Sequence, residues 1–262
     1  MDGLVLSRNE LLVLLDAVQA QTIIGVDGNR IIPSKPDEQR SMIVQGQTSL
    51  KERGLLQVAP DGIALDPVLL TLAILLTDPT MAIVLVRQLP EQGYQAWHFY
   101  QRENFIAEYT QPDEATHRLA SIPNPEQLIL RIAQILPLET GITADPAVIS
   151  EADFNQAKSL AEQRQTEQAV TLLSKSFGLD AARGLVAAIQ EPLFSASLAL
   201  LRCADREVID ARSMALLQGQ TSAWLIRQKV AGETDLEIMP TNQLMIAQQV
   251  VDWFQELLTV AG

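Results

Sequence analysis

His98 stands among groups that could do acid–base chemistry. Glu103 and Glu108 follow it closely, and Tyr109 comes next. An imidazole beside a carboxylate can work as a general base when both lie within hydrogen-bond reach of the proton they move. Yet His98 sits in an alternating run between Trp97 and Phe99, and no serine or cysteine nucleophile is fixed beside it. A structural histidine on a strand is the simpler reading, since geometry must precede role. Cys203 is the second candidate. A reactive thiol needs a helix N-terminus or a cationic pocket, and Cys203 follows Leu201-Arg202 with only Arg206 as a further cation nearby. Asp27-Gly28 and Asp61-Gly62 could belong to metal or phosphate loops, but turn formation accounts for both. Neither GxGxxG nor GxxxxGK[ST] occurs.

Metal chemistry is similarly restricted. His98 and His117 are the histidines and Cys203 the lone cysteine, so no His/Cys zinc set can be assembled. A carboxylate-only magnesium or calcium site stays open in principle, without an EF-hand loop to hold it. No catalytic residue, cofactor site or metal site is assigned. One cysteine also permits no internal disulfide, which fits a reducing cytoplasm.

The elements that would position these residues come from patterning. The chain has 262 residues, 47% of them apolar, enough to build a core. Its longest apolar stretches, such as Val68–Leu76 (broken by Thr71), are far too short to span a bilayer, and MDGLVLSRNELL lacks the basic and apolar segments of a signal peptide. The formal net charge is −13, from 32 acidic and 19 basic residues. That field repels a phosphate backbone and an anionic membrane alike, so neither nucleic acid nor membrane insertion is expected.

Ser7-Arg8-Asn9-Glu10 has capping-box spacing, with Leu6 and Leu11 placed as a hydrophobic staple. It predicts a helix to about Ala20. A second helix fits Asp37–Arg53, stopped by Gly54. A hairpin around Asp61-Gly62 follows, and Asp66-Pro67 opens a helix ending near Asp78-Pro79. Strands are predicted at Ala82–Arg87, Gln95–Gln101, Asn104–Thr110 and Arg118–Ile122, with a tight turn at Arg102-Glu103. Pro123 closes the last strand and Pro125 opens a helix over 126–136. Residues 138–149 read as a linker.

After the linker the order recurs. Ile149-Ser150-Glu151-Ala152-Asp153-Phe154 repeats the staple and cap. A helical stretch to about Phe177, broken around 163–166, is stopped by Gly178. Asp180 caps the next helix, which ends at Glu191-Pro192. Strands are predicted at Ala196–Arg202, Met214–Gln218, Ala223–Lys229 and Asp235–Met239, the last stopped by Pro240, and the helix 241–259 completes the chain. RLASIPNPEQLILRIAQIL and DLEIMPTNQLMIAQQVVDWF are thus matching last steps of a duplicated unit. Arg53-Gly54-Leu55 and Arg183-Gly184-Leu185 match by chance, since the first ends a helix and the second lies inside one. The expected fold is α+β: a quasi-twofold duplicated unit with a central antiparallel sheet flanked by helices. Its halves, 1–137 and 150–262, join as one globular domain, which removes two free sheet edges and enlarges a core otherwise small for each half.

This ordered set resembles the EspG family, the cytosolic chaperones associated with ESX (type VII) secretion. The resemblance rests on Leu6-Ser7…Glu10, Leu50…Arg53-Gly54-Leu55, Asp66-Pro67, Asp78-Pro79, IPNPEQLILRIAQILP, and Leu236–Pro240 with the closing helix Gln243–Leu258. It covers nearly the whole chain. It implies a quasi-twofold α+β fold around an antiparallel sheet, a cytoplasmic location, no enzymatic activity and no cofactor. It also implies a helical secreted client, a PE/PPE-like heterodimer or a small WXG-type protein, held by an apolar surface.

Aromatic residues supply the candidate contact surface. Alternation puts Trp97 and Phe99 on one sheet face and His98 and Tyr100 on the other. An uncovered face would present amphipathic aromatics of the kind partners use. The candidate partner-binding residues are Trp97, Phe99, Arg102, Phe105, Trp224 and Arg227. The stripe Leu244, Ile246, Ala247, Val250, Val251, Phe254 and Leu258 on the last helix is read first as core, and second as core plus a groove for a helical client. Two other functions stay open. One is an adaptor or regulatory protein-binding domain, in which residues 37–76 imitate a winged helix. The other is an enzyme of a type the sequence does not display.

Overall fold

The computed structural model describes the backbone of residues 3–28, 31–59, 62–229 and 234–259. It is α+β, built on a ten-stranded sheet, with a separate two-stranded sheet. The strands of the first half are β1 (Leu4–Ser7), β2 (Leu56–Ala59), β3 (Gly62–Leu65), β4 (Met81–Leu89), β5 (Gly93–Arg102), β6 (Phe105–Thr110) and β7 (Thr116–Ile122). Its helices are α1 (Arg8–Ala17), α2 (Pro36–Glu52), α3 (Pro67–Thr77) and α4 (Pro125–Ile135). The remainder holds β8 (Ala147–Ser150), α5 (Glu151–Glu162), α6 (Thr166–Leu173), α7 (Leu179–Gln190), β9 (Phe194–Ala204), β10 (Glu207–Gln218), β11 (Ala223–Gln228), β12 (Asp235–Pro240) and α8 (Gln243–Thr259). The large sheet runs β1-β7-β6-β5-β4-β9-β10-β11-β12-β8, and the small one pairs β2 with β3.

Local chemistry sets most boundaries. The Ser7 hydroxyl accepts the Glu10 N–H at 3.3 Å while Glu10 Oε2 accepts the Ser7 N–H at 2.7 Å, completing the capping box of α1. That helix ends at Ala17 and not Ala20, because Gln19 takes a positive φ of 53° and the Ala20 N–H turns back to the Leu15 carbonyl. Gly54, at φ 71°, stops α2. Asp66 Oδ1 accepts the Val68 N–H at 2.8 Å and caps α3. Ser150 caps α5 in the same way, accepting the Asp153 N–H at 3.1 Å. The predicted break after α5 falls at Arg164, φ 61°.

Other expectations change. Gly178, not Asp180, is the N-cap of α7, so Asp180 lies in the first turn, where its charge favours the helix dipole. The stretch read as linker ends in a strand, because Ala147–Ser150 pairs with β12. Leu4–Ser7 likewise pairs with β7. β10 starts at Glu207, well before Met214. Pro240 closes β12 from within, opposite Trp224. In the predicted hairpin, Gly62 is the first residue of β3, and Asp61 lies outside the described residues.

The chain divides into two compact units. One comprises Met1–Val84, Ala96–Pro125 and Leu201–Ala211. Its core joins Leu11, Leu12, Leu14 and Leu15 of α1 and Leu69, Leu72 and Leu76 of α3 to Tyr100, Ala107, Tyr109 and Leu119 of the sheet. The other comprises Leu85–Gln95, Glu126–Leu200 and Arg212–Gly262. There, Phe154, Ala157, Val170, Leu173, Leu185 and Val186 of α5–α7 pack with Trp224 and Ile238. Each unit therefore takes the tip of a hairpin, 85–95 or 201–211, from the other half of the sequence.

Candidate functional site

The β5–β6 hairpin carries most of the residues singled out by chemistry. Its register pairs His98 with Tyr109, Phe99 with Glu108 and Arg102 with Phe105. Paired residues share a face, so His98 and Tyr109 lie together and Glu108 lies on the opposite side with Phe99. The His98 ring stacks 6.3 Å from Tyr100 and tilts against Tyr109 at 5.5 Å. His98 is buried, and its Nε2 lies 3.1 Å from the Gly25 carbonyl oxygen. A carbonyl only accepts, so Nε2 carries the proton and Nδ1 is left bare and without a partner. Burial lowers the pKa of His98 to about 4, against a smaller upward pull from Gly25. Its described role is to hold the Ile24–Gly25 loop, which Tyr100 also anchors by donating its hydroxyl to the Ile24 carbonyl at 2.7 Å.

His117 extends the same row. Its Nδ1 lies 2.9 Å from the Tyr109 hydroxyl, and the two rings stack at 5.9 Å. Burial, then the nearby Arg8 cation, lowers its pKa to about 4, with Asp113 opposing. Cys203 is buried, and burial followed by the Asp78 charge pushes its thiol up to about 11, away from thiolate chemistry. Among the described residues, no cluster of three His, Cys, Asp or Glu side chains could hold a metal ion.

The six candidate contact residues fall into different environments. Phe105 is 56% exposed, at the tip of the hairpin. Trp97 is half-buried. Arg102, beside the turn, pairs with the carboxylate and the carbonyl oxygen of Asp78. Phe99 is buried. In the second unit, Trp224 is fully buried, edge-on to Phe177 at 6.1 Å, with its indole N–H donated to Ser222 Oγ at 3.0 Å. Arg227 binds Glu237, directly across the strand pair, at 2.7 Å. The structure thus brings Trp97, Phe99, Arg102 and Phe105 onto one hairpin. It places Trp224 in a core and both arginines in ion pairs.

On α8, Ile246 and Val250 are buried, with Ala247 beside them, facing Ile129, Ile132 and Ala133 of α4 and Leu136 just beyond its end. The space between the two helices is only about 10 Å³, so this part of the stripe is a packed seam. The side chains of Phe254 and Leu258 lie outside the described residues. Two surface features were missed in the sequence. One is an open groove of about 370 Å³ between α5 and α6, lined by Leu160, Leu172, Thr171 and Lys175 among others. The other is an exposed apolar face on α3. Its signal is present in PVLLTLAILLT, which is apolar all round and so offers more hydrophobic faces than one core contact needs. No helix among the described residues is long and apolar enough to cross a membrane.

Comparison with known proteins supplies the remaining finding. No family model and no curated protein matches the chain. Among solved structures, it matches the Mycobacterium tuberculosis type VII secretion system chaperone EspG5, determined in complex with a PE25–PPE41 dimer. The match covers 94% of this chain and 93% of that one, with a TM-score of 0.69 and 13% sequence identity. Over nearly the full length of both chains, then, this protein has the α+β fold of the EspG5 chaperone.

Proposed function

We propose that this protein is a non-enzymatic, cytoplasmic chaperone-like protein of an ESX (type VII) secretion pathway, which shields an apolar surface of a helical secreted partner. The observation that carries the reading is the fold match to EspG5, which spans both chains almost entirely. The environments of His98 and Cys203 support it, since burial takes both away from acid–base or nucleophilic work at neutral pH. The client class is a PE–PPE-type heterodimer or a small WXG-type helical protein. Binding of this kind is hydrophobic burial with a polar rim. Of the six candidate residues, Phe105, with Trp97 and Arg102 behind it, contacts the client. Phe99, Trp224 and Arg227 keep the sheet in shape.

The halves 1–137 and 150–262 are copies of one ancestral unit in this reading. The sheet order supports it: from one edge inward run β1 and then β7, β6, β5 and β4, and from the other run β8, which leads into the second half from residues 147–150, and then β12, β11, β10 and β9.

The test is co-expression with the PE–PPE-type pair encoded nearest its own gene, followed by affinity purification and size-exclusion chromatography. A stable complex with one copy of each partner is expected. Failure to retain any such pair, at concentrations where the chain itself is folded and monodisperse, overturns the reading.

A further inference from the structure

A half-buried arginine ordinarily has an acceptor, because its guanidinium carries a permanent charge and only donors. The half-buried arginines of this chain follow that rule with one exception. Arg8 donates to the Ile31 carbonyl, Arg87 to the Ile135 carbonyl, Arg102 to Asp78 and Arg227 to Glu237, and Arg131 is also engaged. Arg202 is half-buried in β9, and its Nε–H is buried without an acceptor among the described residues. A buried donor left without a partner in a folded chain calls for an explanation.

A second such group lies close by. Thr80, at the head of β4, donates its N–H to the Gln101 carbonyl at 2.8 Å and accepts the Cys203 N–H at 2.9 Å. Gln101 and Cys203 therefore flank it, from β5 and β9. Tyr100 and Cys203 are buried in one core cluster with α1 and α3, so alternation turns Gln101 and Arg202 to the opposite face of the sheet. They stand two strand spacings apart there, about 10 Å. Gln101 Oε1 is buried and accepts no hydrogen bond among the described residues. The two-residue turn Asp205-Arg206 closes Ala204 on Glu207, which sets Ile209 opposite Arg202 on the same face. Ile209 is 53% exposed. Thr80, Gln101, Arg202 and Ile209 all belong to the first unit.

Chemistry decides what meets them. Arg202 lacks an acceptor, Gln101 Oε1 lacks a donor, and Ile209 lacks an apolar neighbour. Polyanions are repelled by a net charge of −13. The start of a helix offers all three groups. Acidic side chains are favoured in its first turn, its first N–H groups have no intrahelical acceptor, and an apolar residue commonly flanks its cap. We propose that Arg202, with Gln101 and Ile209 beside it, receives an acidic helix N-terminus of the client: the client carboxylate accepts from the guanidinium and a free N–H of its first turn donates to Gln101 Oε1. The identity of that helix rests on the chaperone reading; the unpartnered groups do not.

The test uses the full chain and the PE–PPE-type pair encoded nearest its gene, with affinity read by calorimetry and stability by urea. Arg202→Leu should weaken binding at least tenfold and flatten its salt dependence. Its urea midpoint should stay level or rise, because the Nε–H it removes makes no bond in the free chain. A purely structural arginine would give the reverse, a lowered midpoint with affinity intact. Arg202→Lys, which keeps the charge without the Nε–H, should fall between parent and Arg202→Leu. Gln101→Leu should lose less than Arg202→Leu, and Arg40→Gln, exposed on α2, should change nothing. Undiminished binding by Arg202→Leu overturns this inference alone. So does a lowered midpoint, which would give Arg202 a partner inside the fold, and so does a dimer of this chain abolished by Arg202→Leu. A pair that fails to bind even the parent chain overturns the chaperone reading and this inference with it.

Discussion

Arg53 Nη1 lies 2.8 Å from Oε1 of Glu10, across the seam between α2 and α1. That carboxylate is buried and also accepts the Ser49 hydroxyl at 2.9 Å and the Ser7 N–H at 2.7 Å. One side chain therefore closes the capping box of α1 and ties α1 to α2. Burial pulls the Glu10 pKa up, but the bonds from Ser7, Arg53 and Ser49 outweigh it and the pKa ends below its usual value. Glu10→Gln keeps the shape and removes the charge; Glu10→Ala also strands Ser49 and Arg53. Chemical denaturation should show a loss of about 1–2 kcal/mol for Gln and about 3 kcal/mol or more for Ala. Because the folded pKa is depressed, the stability from Glu10 is present above the unfolded carboxylate range and lost as pH falls through the folded value.

A separate acid response comes from the two imidazoles. His98 and His117 have folded pKa values of about 4, chiefly through burial. An unfolded histidine titrates near 6.5, so between those values the unfolded state binds protons that the native state refuses. Stability should be flat above about pH 7 and decline as pH falls toward 4, by up to roughly 3 kcal/mol for each histidine. Urea midpoints measured across that range check this. His98→Gln, which retains a donor for Gly25, should reduce the slope; an unchanged slope would remove His98 from the account.

Gly46 sets how closely α2 approaches α1. A Cβ there would lie 2.3 Å from the Asn9 carbonyl oxygen and 2.8 Å from Val13 Cγ2. The first of these is backbone and cannot swing aside. Gly46→Ala should gain about 1 kcal/mol in helix propensity and still lose about 1–3 kcal/mol overall through overpacking. A thermal midpoint equal to or above that of the parent would show that the two helices can separate at no cost.

What was legible in the sequence was local. Ser7 with Glu10, Ser150 with Asp153, Asp66 with Pro67, and Gly54 each act within a turn of chain, and each sits where its chemistry put it. Edge strands were not legible. Leu4–Ser7 and Ala147–Ser150 are four residues each, and they are strands only because Leu4 meets Leu119 and Ile149 meets Leu236, far along the chain. The start of β10 was missed because Glu207–Ser213 has no buried face to impose a period of two. The arginines illustrate the same limit at the candidate site. Nothing within a few residues of Arg102 or Arg227 shows that Asp78 and Glu237 neutralise them.

The candidate contact residues divide into two physical classes, and mutation should separate them. Trp224 is fully buried and its ring meets Phe177 edge-on, so Trp224→Ala opens a large cavity and should cost about 3–5 kcal/mol, visible as a lowered urea midpoint. Phe105 is mostly in solvent at the hairpin tip. Phe105→Ser touches no core and should change stability by less than about 0.5 kcal/mol. If the hairpin tip grips a helical client, the same change should weaken client binding at least tenfold, since an aromatic anchor carries a disproportionate share of interface energy. Arg102→Gln should have a smaller effect, because its ion pair with Asp78 is partly solvated and exposed pairs contribute little. Size-exclusion and calorimetry on the folded variants distinguish these cases. Client affinity unchanged in Phe105→Ser would move the binding surface off this hairpin altogether, to a face such as the groove between α5 and α6.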